Sequence, residues 1–238
     1  YAFVNDPNEL VQLLCNNTVG TIEALEPVAY TLKDSLAIEH MFRVGAGLDS
    51  QILGDFEIIS QLKSSARVSK KYGLLDAFLE RLINSVIQAS KRIKTETKLS
   101  SGATSVSFAS VQYILKSVKD VTTKNILLFG TGKIGRNTCE NLIKHTKNEH
   151  ITLINRTRDR AEKIAGKFKV LVKDYSQLPE EIKNTDILIV ATGAQNPTVD
   201  KQLIQNKKEL LILDLSLPKN VDENVKDLKN VTLTHLDE

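Results

Sequence analysis

The sequence lacks most of what would set it apart from ordinary globular proteins. It has only two cysteines, Cys15 and Cys139, in 238 residues. Two cannot staple a fold of this size, so a reducing, cytoplasmic setting is expected. Long hydrophobic runs are missing as well. The longest, such as 187–191, fall far short of the roughly 18 residues a membrane helix needs, and no charged-then-apolar leader opens the chain, so no membrane association is expected. Internal repeats and low-complexity tracts are absent. With 41% hydrophobic and 26% charged residues, disorder and collagen-like structure are excluded, and the length suffices for one large or two modest domains. Methionine occurs once, at Met41, and the first residue is Tyr1, so the chain is expected to be a piece of a longer protein.

What is present is unevenly spread. Net charge is only +3, yet residues 1–60 hold two basic and nine acidic side chains, and residues 61–97 hold eight basic and three acidic ones. Such asymmetry marks either a polyanion-facing surface or a solvated helix face. Ile58, Ile59, Leu62 and Ala66 keep a helical period over 55–71, with Gly73 available to end that helix. Leu75, Phe78, Leu82, Val86, Ile87 and Ile93 predict a second helix, with Lys91, Arg92 and Lys94 in its last turn, where the helix dipole favours cations. Ser100, Ser101 and Gly102 interrupt the pattern, and a third helix is predicted from about Thr104 to Val118.

After Asp120 short apolar runs alternate with helical stretches. Strands are expected at 125–129, 151–154, 170–172, 186–191 and 210–215, and helices at 133–147 and 158–168. This is the pattern of a parallel α/β sheet. The boundary between two domains is placed near residue 100, giving 1–99 and 100–238.

The first predicted strand runs directly into Gly130-Thr131-Gly132-Lys133-Ile134-Gly135, which opens a predicted helix. In that setting a G-x-G-x-x-G run reads as a dinucleotide loop. Gly130 permits the tight turn, Gly132 lets backbone approach a pyrophosphate, and Gly135 allows close packing of helix on strand. About twenty residues further on an NAD site would place an acid, but the second strand ends in Asn155-Arg156-Thr157. Arg156 can pair with a 2′-phosphate, and Asn155 and Thr157 can add neutral hydrogen bonds, so NADPH is favoured over NADH. Arg158 and Arg160 are rival cations. Thr192 and Gly193 follow the fourth strand and are candidates to line the nicotinamide half. Asp214, after the fifth, reads equally as a ligand neighbour or as a turn cap.

The segment His40-Met41-Phe42-Arg43-Val44-Gly45-Ala46-Gly47-Leu48-Asp49-Ser50-Gln51-Ile52-Leu53-Gly54-Asp55 resembles the hallmark stretch of the glutamyl-tRNA reductase family. Gln61-Leu62-Lys63, the run 89–97, Ser105-Val106-Ser107 and Asn155-Arg156-Thr157 follow in the family's order, so the resemblance covers nearly the whole chain. It implies an α/β fold, a Rossmann-type parallel-sheet NADP-binding domain preceded by a truncated, helix-rich α+β catalytic domain. It also implies NADPH-dependent reduction of glutamyl-tRNA(Glu) to glutamate-1-semialdehyde, the first step of tetrapyrrole synthesis by the five-carbon route. The family's cysteine thiolate attacks the ester, tRNA leaves, and the thioester accepts a hydride more readily than an oxygen ester would.

By the same resemblance His40 matches the active-site histidine, and Ser50, Asp55 and Gln61 match positions that bind the glutamyl group. Asp55 is one methylene shorter than the usual Glu, Glu57 replaces a usual Gln, and Lys219-Asn220 replaces a common Arg-Asp. No metal is expected. The family's cysteine lies upstream of the His40 segment, and Tyr1 matches the last residue of its motif. Cys15 lacks the motif's flanks and reads as a core residue closing an apolar helix, and Cys139 as a structural residue. The chain alone is therefore expected to be inactive. The downstream semialdehyde aminomutase, and homodimerisation through a domain beyond residue 238, are the implied partners. A shikimate-dehydrogenase-like NADP oxidoreductase and a non-catalytic NADPH- and tRNA-binding module are the competing readings.

Overall fold

The computed structural model describes residues 1–50, 52–55, 57–97, 99, 105–204 and 209–235. The chain divides into two compact units, Tyr1–Ser100 and Ser101–Glu238. The predicted break at Ser100, Ser101 and Gly102 and the predicted helix start at Thr104 lie outside the described residues, as do Gln51 and Phe56.

The first unit consists of helices α1 (Asn8–Asn16), α2 (Ile22–Leu25), α3 (Asp34–Gly45), α4 (Glu57–Lys71) and α5 (Ala77–Glu96). The helix-rich character expected of this unit holds, while its described residues contain no strand. The apolar stripes read from the sequence form its core. Met41 of α3, Ile59 of α4, and Ile83 and Val86 of α5 are buried together, with Leu62, Ala66, Leu75 and Leu82 packed around them. Such burial contributes roughly 1.5–3 kcal/mol for each large side chain. Gly45 lets α3 and α5 approach, because a Cβ there would lie 2.2 Å from Val86 Cγ1. Asp76 caps α5 by accepting from the Leu79 amide at 2.7 Å.

Two expected core positions in this unit are corrected. Phe78 is 42% exposed and meets Phe3 edge-on at 5.5 Å, on the rim of a cavity of about 640 Å³ that Tyr1, Leu10 and Ile38 also line. Cys15 is only half-buried, because α1 buries none of its residues.

The second unit opens with α6 (Val106–Ser117), capped by the Ser105 hydroxyl, which accepts from the Phe108 amide. Then follow β1 (Ile126–Phe129), α7 (Lys133–Thr146), β2 (Ile151–Ile154), α8 (Arg158–Phe168), β3 (Leu171–Lys173), α9 (Leu178–Lys183), β4 (Ile187–Val190), β5 (Leu210–Asp214) and β6 (Val231–His235). All pairings are parallel, in the order β3-β2-β1-β4-β5-β6.

Strand alternation explains the layers. Ile126 and Leu128 face a core built with Val111, Ile114, Cys139, Leu142 and Ala161, while Leu127 and Phe129 face another with Leu178, Ile182, Val190 and Ile212. Both faces of β1, β4 and β5 are therefore buried, which is why these strands read as continuous apolar runs. No helix among the described residues is long and apolar enough to cross a membrane.

Candidate functional site

Strand order reverses its direction of growth at β1, with β2 on one side and β4 on the other. A crevice at the carboxyl ends of these strands is where open α/β sheets bind ligands. The glycine run occupies that position. Gly130 has φ +105°, and a Cβ there would lie 2.3 Å from the Ala191 carbonyl oxygen. A Cβ on Gly135 would lie 2.1 Å from the carbonyl oxygen of Gly130. Gly132 differs from both: a Cβ there meets nothing within 4 Å. Two glycines thus close the loop against the sheet, and the third keeps space open in front of α7. Gly132 is the N-cap of α7 and no side chain caps that end, so amide donors at the start of α7 point to where an anion would sit. Thr131 adds a buried Oγ1 with no partner among the described residues. The loop fits the pyrophosphate of a nicotinamide dinucleotide. Ile134 packs its side chain against the core, which leaves only its backbone to face the crevice.

The turn after β2 is tied to this loop. Asn155 Oδ1 accepts from the Thr131 amide at 3.2 Å, and its Nδ2 donates to the Thr157 carbonyl at 2.8 Å. Of the rival cations, Arg158 is occupied. It pairs with Glu162 and Asp174, whose hydrogen bonds and charge raise its already high pKa further. Arg156 is exposed and has no ion pair among the described residues.

Across the crevice, Asp214 proves to be a turn cap. Its Oδ1 accepts from the Ser216 amide at 3.0 Å, and its Oδ2 accepts from the amides of Asn220 and Val221 at 2.7 and 2.9 Å. His235 Nδ1 lies 3.5 Å from the same Oδ2. Asn220, fully buried, gathers the neighbouring loops. Its Oδ1 accepts from the hydroxyls of Thr192 at 2.6 Å and Thr198 at 3.2 Å, and its Nδ2 donates to the carbonyls of Ala194 and Pro218. The Thr192 amide donates to the Ser216 hydroxyl at 3.1 Å. Thr192 is thus engaged in shaping the loop, whereas Gly193 has open space where a Cβ would stand.

In the first unit His40 is held at both ring nitrogens. Nδ1 lies 2.8 Å from the Tyr1 hydroxyl, and Nε2 lies 3.0 Å from the Tyr30 hydroxyl and 3.1 Å from Asp49 Oδ2. Burial, together with the nearby Tyr30 and Asp49, raises the pKa of the Tyr1 phenol. The loop after α3 is compact: the Gly54 amide donates to the Gly47 carbonyl at 2.8 Å, and Gly47 has φ +69°. Within it Ser50 Oγ accepts from the Ile52 amide at 3.2 Å, and Asp55 Oδ1 accepts from the amide of Glu57, the first residue of α4, at 2.8 Å. Gln61 is exposed in the first half of α4. No hydrogen bond joins Ser50 or Gln61 to His40. No sequence pattern points to Tyr30; Asp49 stands in the His40 stretch, Ser216 in the turn after the fifth predicted strand, itself a candidate to line the nicotinamide half, and Asn220 at a departure from the family pattern, but the bonds these residues make join segments far apart in the sequence.

The two cysteines are chemically unlike. Burial, with Glu140 nearby, pushes the Cys139 thiol up to about 12, which makes it inert at neutral pH. Cys15 is half-buried on α1.

The sequence profile described as glutamyl-tRNAGlu reductase, N-terminal domain, matches residues 1–97, and that of shikimate/quinate 5-dehydrogenase matches residues 112–238. Glutamyl-tRNA reductases of Christiangramia forsetii and Flavobacterium psychrophilum are 69% and 65% identical to the chain over its whole length, which corresponds to 57% and 58% of those relatives. Among solved structures, the glutamyl-tRNA reductase from Methanopyrus kandleri is similar with a TM-score of 0.53 at 26% identity, over 86% of this chain and 53% of that one. The chain spans little more than half the length of the curated relatives it matches.

Proposed function

The chain belongs to the glutamyl-tRNA reductase family, and on that premise we propose that it supplies the substrate-binding and cofactor-binding parts of an enzyme that reduces glutamyl-tRNA(Glu) to glutamate-1-semialdehyde with NADPH. The observation that carries this reading is the presence in one chain of the His40 cluster and of a glycine loop whose neighbouring turn offers an unpaired arginine and no acid. NADPH, when bound, supplies the hydride for the acyl carbon. The amides at the start of α7 bind its pyrophosphate, and Arg156 forms charge-assisted hydrogen bonds to its 2′-phosphate. His40 moves the proton at the leaving 3′-oxygen of the tRNA. Ser50, Asp55 and Gln61 bind the glutamyl group, Asp55 while also accepting from the Glu57 amide.

Neither cysteine here suits the thioester step. Cys139 is held as a neutral thiol, and Cys15 has no hydrogen bond to His40. The attacking thiolate is expected from outside residues 1–238, and this segment alone is expected not to turn over. On α4 and α5, Lys63, Arg67, Arg81 and Lys91 have no ion pair among the described residues, whereas Lys70 and Arg92 are neutralised by Glu80 and Glu96. The unpaired set fits tRNA phosphates. In the cytoplasm the semialdehyde would pass to an aminomutase, and the longer protein would dimerise through a segment outside these residues.

The profile match over 112–238 favours a second reading, a shikimate-dehydrogenase-like oxidoreductase that interconverts a free hydroxy acid and its ketone without any thiol. The match over 1–97 favours the reductase. Titration with NADPH and NADH, read by nicotinamide fluorescence, tests the cofactor: NADPH is expected to bind more tightly, and Arg156→Glu to weaken NADPH far more than NADH. Equal losses contradict the role of Arg156. Extended to the length of its relatives, the protein is expected to form semialdehyde from glutamyl-tRNA. Turnover of shikimate instead would establish the second reading.

A further inference from the structure

The contacts of His40 define more than its location. An ionised carboxylate only accepts hydrogen bonds, so the nitrogen facing Asp49 Oδ2 at 3.1 Å must carry a proton. In the neutral ring that places the proton on Nε2 and the lone pair on Nδ1, where the Tyr1 hydroxyl at 2.8 Å is the donor it needs. Tyr30 adds its hydroxyl at 3.0 Å from Nε2 and presents its ring edge-on at a centroid distance of 5.8 Å, closing the remaining side. The four residues come from separate places: the first residue, the segment before α3, α3 itself and the loop after it. The glycine turn at Gly47, whose conformation at φ +69° is open to few other residues, carries the chain from α3 into the loop that brings Asp49 back toward the ring.

We propose that Asp49 is the positioning residue of His40, fixing the imidazole in its Nε2–H tautomer so that Nδ1, covered by the Tyr1 hydroxyl, is the nitrogen that accepts a proton. This rests on the reading of His40 as the proton-transferring group of the reductase, and it adds which nitrogen works and what holds the other. The arrangement follows the logic of a histidine oriented by a carboxylate through one nitrogen while the other faces a hydroxyl.

The test is nitrogen-15 NMR of the His40 ring in the chain itself, at a pH where the ring carries one proton. Wild type is expected to show the two limiting shifts of a single tautomer, with the proton on Nε2. Asp49→Ala is expected to draw the two nitrogens toward each other as the tautomers mix, and Asp49→Asn, which keeps an acceptor oxygen, to restore most of the separation. Tyr1→Phe is expected to move Nδ1 while leaving the proton on Nε2. Unchanged backbone amide spectra along α3 serve as the folding control. Averaged shifts in wild type, a proton on Nδ1, or no response to Asp49→Ala would each overturn the proposal. The ring shifts need no substrate, so they separate this inference from the reductase reading. Failure of the extended protein to reduce glutamyl-tRNA, with the shifts as expected, would refute that reading alone.

Discussion

Gly132 and Gly135 lie three residues apart, one the N-cap of α7 and the other in its first turn, yet replacing each with alanine should have opposite consequences. At Gly135 the new Cβ would stand 2.1 Å from the Gly130 carbonyl oxygen and 3.0 Å from its carbon. That obstacle is backbone and cannot rotate aside as the end of a side chain would. Overpacking costs about 1–3 kcal/mol, and a backbone obstacle belongs at or above the upper end. Alanine recovers about 1 kcal/mol inside a helix relative to glycine. The net loss is therefore about 2 kcal/mol, which for a unit of this size lowers the melting temperature by roughly 6–8 °C.

Gly132 has φ −64° and ψ −172°, ordinary for alanine, and its Cβ would meet nothing within 4 Å. Gly132→Ala should change stability by under about 1 kcal/mol, since it alters only an N-cap with no side-chain bond. Its methyl group would instead fill the space a pyrophosphate requires, and a loss of at least tenfold in NADPH affinity, about 1.4 kcal/mol, is expected. Thermal unfolding followed by circular dichroism, paired with fluorescence titration of NADPH, separates the two effects. A Gly135→Ala protein that melts with wild type, or a Gly132→Ala protein that binds NADPH as wild type does, would refute the division of labour between the glycines.

Other outcomes follow from the same geometry. A thiol reagent at mildly alkaline pH should titrate Cys15 in the native chain and reach Cys139 only on unfolding; fast labelling of both would contradict the burial of Cys139. Because the folded-state pKa of Cys139 is raised from 9.0 to about 12, its contribution to stability is full below about pH 9 and fades as pH climbs toward 12. Denaturant midpoints measured across that range in wild type and Cys139→Ala should converge at the alkaline end, and parallel curves would count against it. Asn220→Asp removes the donors to Ala194 and Pro218 and places a second carboxylate beside Asp214, so a loss of about 2–4 kcal/mol is expected from urea denaturation. Binding of tRNA should weaken steeply as salt rises, and Lys63→Ala with Arg67→Ala should flatten that slope; no salt dependence would remove α4 from the interface.

The sheet was largely legible because its central strands are buried on both faces, so 187–190 and 210–213 appear as uninterrupted apolar runs. β6 was not. Val231, Thr232, Leu233, Thr234 and His235 lie at the sheet's edge, where only alternate positions are buried and the pattern is too short to stand out. α9 begins beside Pro179 and is six residues long, too brief for a helical period to register. The glycine loop was legible since all its determinants are local, as was the stretch bearing His40. The partners of His40 were not, because Tyr1 and Tyr30 are 39 and 10 residues away and a hydrogen bond between distant segments leaves no periodicity. Phe78 kept helical spacing with the core yet stayed exposed, because a stripe predicts a face and not how far the neighbouring segment covers it.

The knot around Asn220 has a consequence for how such a crevice changes over time. Thr192 follows β4 while Ser216 and Asn220 follow β5, yet Thr192 donates its amide to Ser216 and its hydroxyl to Asn220. A substitution at one leaves a polar atom stranded at the next, so effects measured singly will not add when combined. The loops beyond β4 and β5 are in this sense a single heritable character: new side chains at Thr192, Ser216 and Asn220 are expected to arrive as matched sets, whereas exposed Arg156, with no ion pair among the described residues, can be exchanged without stranding a partner.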